Sequence, residues 1–228
     1  MKKEIQKITD KPIKYVINTH HHPDHFLGNK AFKDAKIYAS VFTAEEITKN
    51  GDLYIVNLVQ LVNEAMKDTE IKSPNQILTS KELILDSYKL NILFLDGHTK
   101  SDIVVYDENT KILYPSDLVF NKRALATPHA DINTWMSSLK TIEKIDYNIV
   151  VPGHGVAFSS KEPIKDNISY LKFIDDTLVS GARKGLNIFE ILNQDTPSSI
   201  KKFSIFEEEF QRSVINLFPA YESRFTSK

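Results

Sequence analysis

Four side chains of metal-binding type lie close together near the start of the sequence. The stretch Thr19–His25 reads THHHPDH and contains the pattern His-x-His-x-Asp-His in His20, His22, Asp24 and His25. In an extended segment, residues i and i+2 point to the same side, so His20 and His22 can bind one metal ion. Asp24 and His25 follow a proline and can face a second ion. Imidazole nitrogen and carboxylate oxygen together suit zinc, iron or manganese, so the pattern predicts a metal site.

Three later side chains are candidates for the same chemistry. His98 lies in DGHT, Asp117 in YPSDL and His154 in VPGHG. Each follows a predicted strand, and strand ends are where loops present functional groups from a rigid sheet. Each of these residues alone is typical of a turn or a helix cap. They are candidate metal ligands only in combination with the first motif.

The amino-acid composition excludes several kinds of functional site and of binding partner. The 228 residues include 29 Lys and Arg, 30 Asp and Glu, and no cysteine. Disulfides, thiolate nucleophiles, iron–sulfur clusters and Cys-type zinc sites are therefore excluded, and a metal ion must be bound by His and carboxylates. A net charge of −1 gives no general attraction to phosphate backbones or anionic lipid. We expect a small-molecule substrate and no nucleic acid.

The sequence contains no export or membrane signal. Residues 1–12 are polar and charged, and no apolar stretch approaches membrane-spanning length. We therefore expect no membrane partner and, for the sequence as written, a cytoplasmic protein. A natural chain with a longer N-terminus would allow a periplasmic location.

The first motif needs strands that position it. The β-branched run 13–18 (IKYVIN) predicts a buried strand that opens into the motif, and 36–40 (KIYAS) predicts another. A helix is predicted from about Thr43 to Lys67. From 77 to 114, short apolar runs separated by turn residues predict an antiparallel meander.

The second half of the chain is expected to end in helices. Asp131 is a good N-cap for the helix that follows it, and 147–151 (YNIVV) predicts a buried strand. Beyond that strand, apolar residues recur at helical spacing. Mixed strands and helices before an all-helical tail predict an α/β or α+β fold. We expect a metal-binding domain over residues 1–160 and a helical C-terminal extension over 161–228 that packs on it.

The candidate residues together resemble the motifs of the metallo-β-lactamase-fold hydrolase superfamily. The residues that match, in the family's order, are His20, His22, Asp24, His25, His98, Asp117 and His154. The resemblance implies an αββα sandwich that holds two zinc ions per chain, with iron or manganese as alternatives. It implies one ion bound by His20, His22 and His98, another bound by Asp24, His25 and His154, and Asp117 as the bridge between them.

Some details indicate a branch of this superfamily. The absence of cysteine argues against the β-lactamases that bind zinc through cysteine, and the ligand set is similar to that of glyoxalase II and the lactonase-like hydrolases. Spacings in the C-terminal half resemble, less closely, zinc hydrolases associated with quinoprotein systems.

Two features depart from the family pattern. Ser116 stands where the family usually has glycine before the bridging aspartate. The family also opens with several strands, whereas only about a dozen residues precede the first predicted strand here. The resemblance therefore implies a sandwich without its N-terminal strands. Either the chain is a truncated form, or a partner, such as a second copy of the chain in a homodimer, supplies the missing cover.

The resemblance implies a hydrolase that uses a zinc-bound hydroxide. Two zinc ions would share a water, lower its pKa towards neutrality and direct it at the carbonyl of an ester, thioester, lactone or amide. Asp24 would orient the hydroxide and Asp117 would fix the separation of the ions, so these are the predicted catalytic residues. Two alternatives remain. One is a truncated or inactive metal-binding domain. The other is a mononuclear iron persulfide dioxygenase, because His and carboxylate bind iron as well as zinc.

Three further polar residues lie near the motifs. His21 alternates away from its neighbours and is predicted to pack or to support the ligands. His129 and Arg123 follow the bridging aspartate and are candidates for substrate binding, Arg123 for an anionic group. A solvated surface position is the commoner outcome for both.

Overall fold

The chain forms two compact units. The computed structural model describes residues 2–62 and 69–226. The first unit ends at Phe94 and the second begins at Leu95. The predicted domain boundary at residue 160 is a different division and stays a prediction.

The first unit is built on a parallel sheet. Its elements are α1 (Lys2–Gln6), β1 (Tyr15–Ile17), α2 (Pro23–Phe26), a 3-10 helix (Leu27–Ala31), β2 (Lys36–Ala39), α3 (Val41–Val62), β3 (Gln76–Ile77), β4 (Glu82–Leu85) and β5 (Tyr88–Leu95). The sheet has the order β1-β2-β3, with Val16 in register with Ile37, and β4 and β5 form an antiparallel hairpin. Phe26, Ile37 and Ile47 are fully buried in its core. The part of the predicted helix beyond Val62 lies outside the described residues.

The second unit combines three of the strands with all of the later helices. Its elements are β6 (Asp102–Asp107), β7 (Ile112–Phe120), α4 (Ile132–Glu143), β8 (Ile149–His154), α5 (Glu162–Lys184), α6 (Ile188–Leu192), α7 (Ser198–Lys201) and α8 (Phe206–Thr226). Strands β6 and β7 are antiparallel, whereas β7 and β8 are parallel. Phe120 is in register with His154. The end of β7 therefore lies beside the end of β8, at one edge of the sheet.

Individual residues at the helix ends explain where helices α4 and α5 of the second unit begin or end. Asp131 caps α4, as predicted, and accepts a hydrogen bond from the Thr134 N–H at 2.9 Å. Helix α5 has Pro163 in its first turn and ends at Gly185, whose φ of 67° is unfavourable for other residues. Helix α8 continues past Pro219 to Thr226. In the described part of the chain, no helix is long and apolar enough to cross a membrane.

Helix α5 supports the strand that carries Asp117. It packs against α4, α8 and β7. The fully buried Asn167 donates from Nδ2 to the Phe120 carbonyl at 2.9 Å and accepts from the Phe120 N–H at 2.8 Å. The backbone N–H and carbonyl of Phe120 are buried and need hydrogen-bond partners. The side-chain amide of Asn167 supplies both at the end of β7.

Candidate functional site

The first histidine motif follows β1 directly and draws three imidazoles together. The ring centroids of His20 and His22 lie 4.8 Å apart, and those of His20 and His25 lie 4.3 Å apart. His25 Nε2 lies 3.3 Å from Asp24 Oδ2. His20 is fully buried, whereas the Asp24 side chain is 52% exposed. The motif thus has a buried imidazole end and a carboxylate that reaches solvent.

A tight turn in the motif explains this geometry. His22 is extended (φ −70°, ψ 144°) and precedes Pro23, the first residue of α2. The His25 N–H donates to the His22 carbonyl at 3.0 Å, so Asp24 and His25 lie on one helical turn instead of continuing the strand. The alternation of side chains that puts His20 and His22 on the same side of the extended segment therefore ends at Pro23.

A pair of buried asparagines holds the turn in place. Asn18 Nδ2 donates to the His25 carbonyl at 3.0 Å and to Asn29 Oδ1 at 3.0 Å, and Asn29 Nδ2 donates back to Asn18 Oδ1 at 2.8 Å. The Asn18 N–H also donates to the Tyr38 carbonyl at 2.8 Å. A buried amide bonded in this way fixes the backbone that carries the ligands. Neither asparagine was predicted from the sequence to support the site, although an Asn directly between a strand and a motif is a usable signal.

The second unit places Asp117 beside two histidines. Asp117 Oδ2 lies 3.5 Å from His98 Nε2 and 3.2 Å from His154 Nε2. His98 is fully buried and Asp117 is 3% exposed, while His154 is partly exposed. One oxygen of a buried carboxylate is thus adjacent to both imidazoles.

Glycines at three positions allow this close packing. A Cβ on Gly153 would lie 1.9 Å from Asp117 Oδ1, and a Cβ on Gly97 would lie 2.3 Å from the Trp135 Cα. Gly97 and Gly155 also have positive φ values of 127° and 96°. The VPGHG and DGHT motifs therefore need their glycines for close approach as well as for turning.

Ser116 adopts the conformation that explains the family's preference for glycine there. Its φ is 53°, in the left-handed region, where a Cβ costs free energy. Ser116 is itself buried, as are the following residues Asp117 to Phe120 of β7.

A buried aspartate fixes the turn that carries His98. Asp102 is fully buried, and it accepts hydrogen bonds from the Thr99 N–H at 2.9 Å and from Thr99 Oγ1 at 2.8 Å. Burial raises the pKa of Asp102 to about 7, with a further rise from the Asp117 charge and an opposing effect of the Thr99 hydrogen bonds. Asp102 was not among the predicted site residues, although its T-x-x-D spacing after the histidine is typical of a side-chain-capped turn.

The donor geometry fits a metal ion. Two donors about 2.1 Å from a tetrahedral zinc lie about 3.4 Å apart. The separations found within the two units are 3.3 Å for Asp24 and His25, 3.5 Å for His98 and Asp117, and 3.2 Å for Asp117 and His154. Each pair mixes imidazole and carboxylate, as zinc, iron and manganese sites do. The assignment of ligands to particular ions stays a prediction.

The remaining candidates occupy other surroundings. His21 is buried and packs edge-on against Phe42 of α3, with ring centroids 5.7 Å apart. His129 is exposed. The Arg123 guanidinium lies 5.5 Å from the Phe120 ring centroid, and its Nη2 lies 3.3 Å from Oε1 of the buried Glu209. Arg123 is thus tied to α8 as well as placed near the end of β7.

The α/β fold carries its His and Asp donors in the segments that follow β1 and β5 and at the ends of β7 and β8. The profile of the metallo-beta-lactamase superfamily matches residues 2–154, and the chain belongs to this superfamily. This confirms the family resemblance and the predicted α/β fold with its helical C-terminal region.

Individual relatives agree with this membership. The chain is 24% identical to a linear primary-alkylsulfatase of Pseudomonas sp. over 92% of its own length and 48% of the relative's. It is 30% identical to a hydroxyacylglutathione hydrolase of Pelagibacter ubique over 51% of its length and 41% of the relative's. Among solved structures, a double mutant of the sec-alkyl sulfatase PisA1 matches with a TM-score of 0.72 at 17% identity, covering 92% of this chain and 42% of the other. The chain thus spans less than half of each.

Proposed function

We propose that the protein is a metal-dependent hydrolase that binds two zinc ions. The observation that carries the proposal is the set of three His–Asp donor pairs separated by 3.2 to 3.5 Å in a member of this superfamily. The expected ligand set is His20, His22 and His98 for one ion, Asp24, His25 and His154 for the other, and Asp117 for both.

The two carboxylates differ in exposure, and we assign them different roles. Zinc at these ligands would supply a hydroxide near neutral pH and a Lewis acid for the developing oxyanion. Asp117, buried between His98 and His154, fixes the ligands of the two ions relative to each other. Asp24, half exposed beside His25, would accept a hydrogen bond from the attacking water and orient it.

The substrate we propose is an ester or thioester of a carboxylic acid. A sulfate ester is the second candidate, because the alkylsulfatase relative is similar over 92% of this chain, whereas the hydroxyacylglutathione hydrolase is similar over 51%. In both reactions water attacks an electrophilic centre and an oxygen or sulfur leaving group departs.

Metal content and turnover measured on the same preparation test the proposal. We expect about two zinc ions per chain by elemental mass spectrometry, and hydrolysis of p-nitrophenyl acetate, a thioester or octyl sulfate. Asp117→Ala and His22→Ala should each lose metal and lower kcat by about a hundredfold or more. Asp146→Ala, which removes an exposed carboxylate paired with Lys111, is the matched control.

Two results would count against it. Wild-type turnover and metal content in Asp117→Ala would refute the metal site as described. Iron in place of zinc, with oxygen consumed in the presence of a persulfide, would favour the oxidoreductase alternative.

A further inference from the structure

Phe120, the last residue of β7, lies against both histidines that neighbour Asp117. Its ring stacks on the His154 imidazole, with centroids 5.0 Å apart and planes inclined by 25°. The same ring is tilted against the His98 imidazole, with centroids 6.0 Å apart. Both separations lie in the range in which aromatic rings attract each other. One fully buried apolar ring is therefore adjacent to a predicted ligand of each ion.

The Phe120 ring has little freedom to move. Asn167 of α5 binds both polar groups of its backbone, and the ring centroid lies 6.3 Å from that of the fully buried Trp135. The His154 carbonyl accepts a hydrogen bond from the Asn121 N–H at 2.9 Å, so the backbone of that histidine is fixed as well. The freedom that remains to His154 is rotation of its side chain, and a fixed ring stacked on the imidazole restricts that rotation.

An ion pair with α8 fixes a cation over the Phe120 ring. The Arg123 guanidinium carbon lies 5.5 Å from the ring centroid, which is a cation–π distance, and Arg123 Nη2 lies 3.3 Å from Glu209 Oε1. Glu209 is 2% exposed, and its carboxylate also accepts hydrogen bonds from Arg212 Nη1 at 3.1 Å. A buried carboxylate is destabilised when it loses a cationic partner, so this ion pair holds the guanidinium against the ring.

We propose that Phe120 is a positioning residue, which orients the imidazoles of His98 and His154 for metal binding. Arg123 and Glu209 hold its ring in place from α8. The inference rests on the proposed function, in which the two histidines bind different ions. Groups that orient metal ligands without touching the metal contribute about tenfold to a hundredfold in metal affinity. Phe120→Leu keeps an apolar side chain but removes the flat ring, so we expect zinc binding to weaken by about tenfold.

The test compares Phe120→Leu with the matched control Phe218→Leu. Phe218 is 2% exposed on α8 and lies beside Gly181 of α5, so both substitutions remove a buried ring from the second unit. Zinc affinity is measured by competition with a chromogenic chelator, and the cobalt-substituted protein by visible absorption. Phe120→Leu should weaken zinc binding and alter the cobalt d–d bands, whereas Phe218→Leu should change neither. Urea unfolding of the metal-free variants should show similar losses of stability for the two.

Two further variants complete the experiment. Phe120→Met, which fills the space with a flexible chain, replaces Phe120→Leu if that variant does not fold, with the same expected result. Glu209→Gln weakens the contact that holds Arg123 and should lower zinc affinity in the same direction, by less than Phe120→Leu. Wild-type affinity in Glu209→Gln would overturn the part of the inference that concerns α8.

The outcomes separate this inference from the proposed function. Wild-type zinc affinity and cobalt bands in Phe120→Leu would overturn it, as would an equal loss in Phe218→Leu. If the wild type binds no metal, the proposed function fails, and NMR of the metal-free protein decides the inference through the three-bond couplings that report the χ1 rotamer of His154. One rotamer in the wild type that becomes averaged in Phe120→Leu supports it, whereas the same rotamer populations in both overturn it.

Discussion

Asp102 should make the stability of the metal-free protein depend on pH in a way that Asp102→Asn removes. The carboxyl has a pKa of about 7 in the folded protein against an ordinary value of 3.8, chiefly because it is fully buried. The folded state therefore binds this proton more tightly than the unfolded state. The resulting stabilisation is fully present below about pH 4 and is lost as the pH rises through 7.

The magnitude follows from the size of the shift. About three pKa units at 1.36 kcal/mol each give about 4 kcal/mol in total, of which about 3 kcal/mol is lost between pH 5 and pH 8. The protein should be freed of metal with a chelator and unfolded with urea at each pH. Histidines titrate in the same range, so the quantity to compare is the difference in unfolding free energy between the wild type and Asp102→Asn, in which their contributions cancel.

A difference in unfolding free energy that stays constant from pH 5 to pH 8 would contradict this prediction. Such a result would mean that water or backbone donors solvate the ionised carboxylate as well in the folded as in the unfolded state. Thr99→Val provides a second check. Loss of the hydroxyl donor at 2.8 Å should raise the pKa of Asp102 further and shift the transition to higher pH.

Three backbone predictions can be checked by urea unfolding of the metal-free protein. Gly97→Ala should destabilise by about 3 kcal/mol or more, because the new methyl group meets the Trp135 backbone at 2.3 Å and φ is 127°; a cost below about 1 kcal/mol would contradict the close packing. Asn167→Ala should cost about 3 kcal/mol, since it leaves both polar groups of Phe120 buried without their partner; full stability would show that water replaces the amide. Lys122→Gly should stabilise by about 0.5 to 1 kcal/mol, because exposed Lys122 has φ 60°; destabilisation would mean that the lysine side chain holds the turn.

The sequence predicts best where short-range rules decide the outcome. The Asp131 cap, the helix after Ser160 and the strand before His154 all follow from local patterns, and the structure has α4, α5 and β8 there. The bend at Pro23 is likewise local, because proline fixes its own φ and favours the first turn of a helix. The candidate metal ligands were selected by residue type, spacing and family resemblance, and their role as ligands stays a prediction.

The residues that hold the ligands in place could not be predicted in the same way. Asn18 and Asn29 meet across eleven positions of the chain, and Asn167 reaches Phe120 across 47. Such pairs depend on tertiary packing, which no local pattern encodes. The positive φ of Ser116 is likewise not encoded locally, because a serine inside a strand is ordinarily extended.

The packing of Trp135 gives the protein an optical property. It is the sole tryptophan of the chain, it is fully buried, and its ring lies edge-on to the imidazole of His98 with centroids 5.0 Å apart. Its Nε1–H donates to the Leu118 carbonyl at 2.9 Å, which anchors the indole beside the strand that carries Asp117. Intrinsic fluorescence excited at the indole therefore comes from a single emitter next to a predicted ligand, so zinc titrations can be followed on the unlabelled wild-type protein.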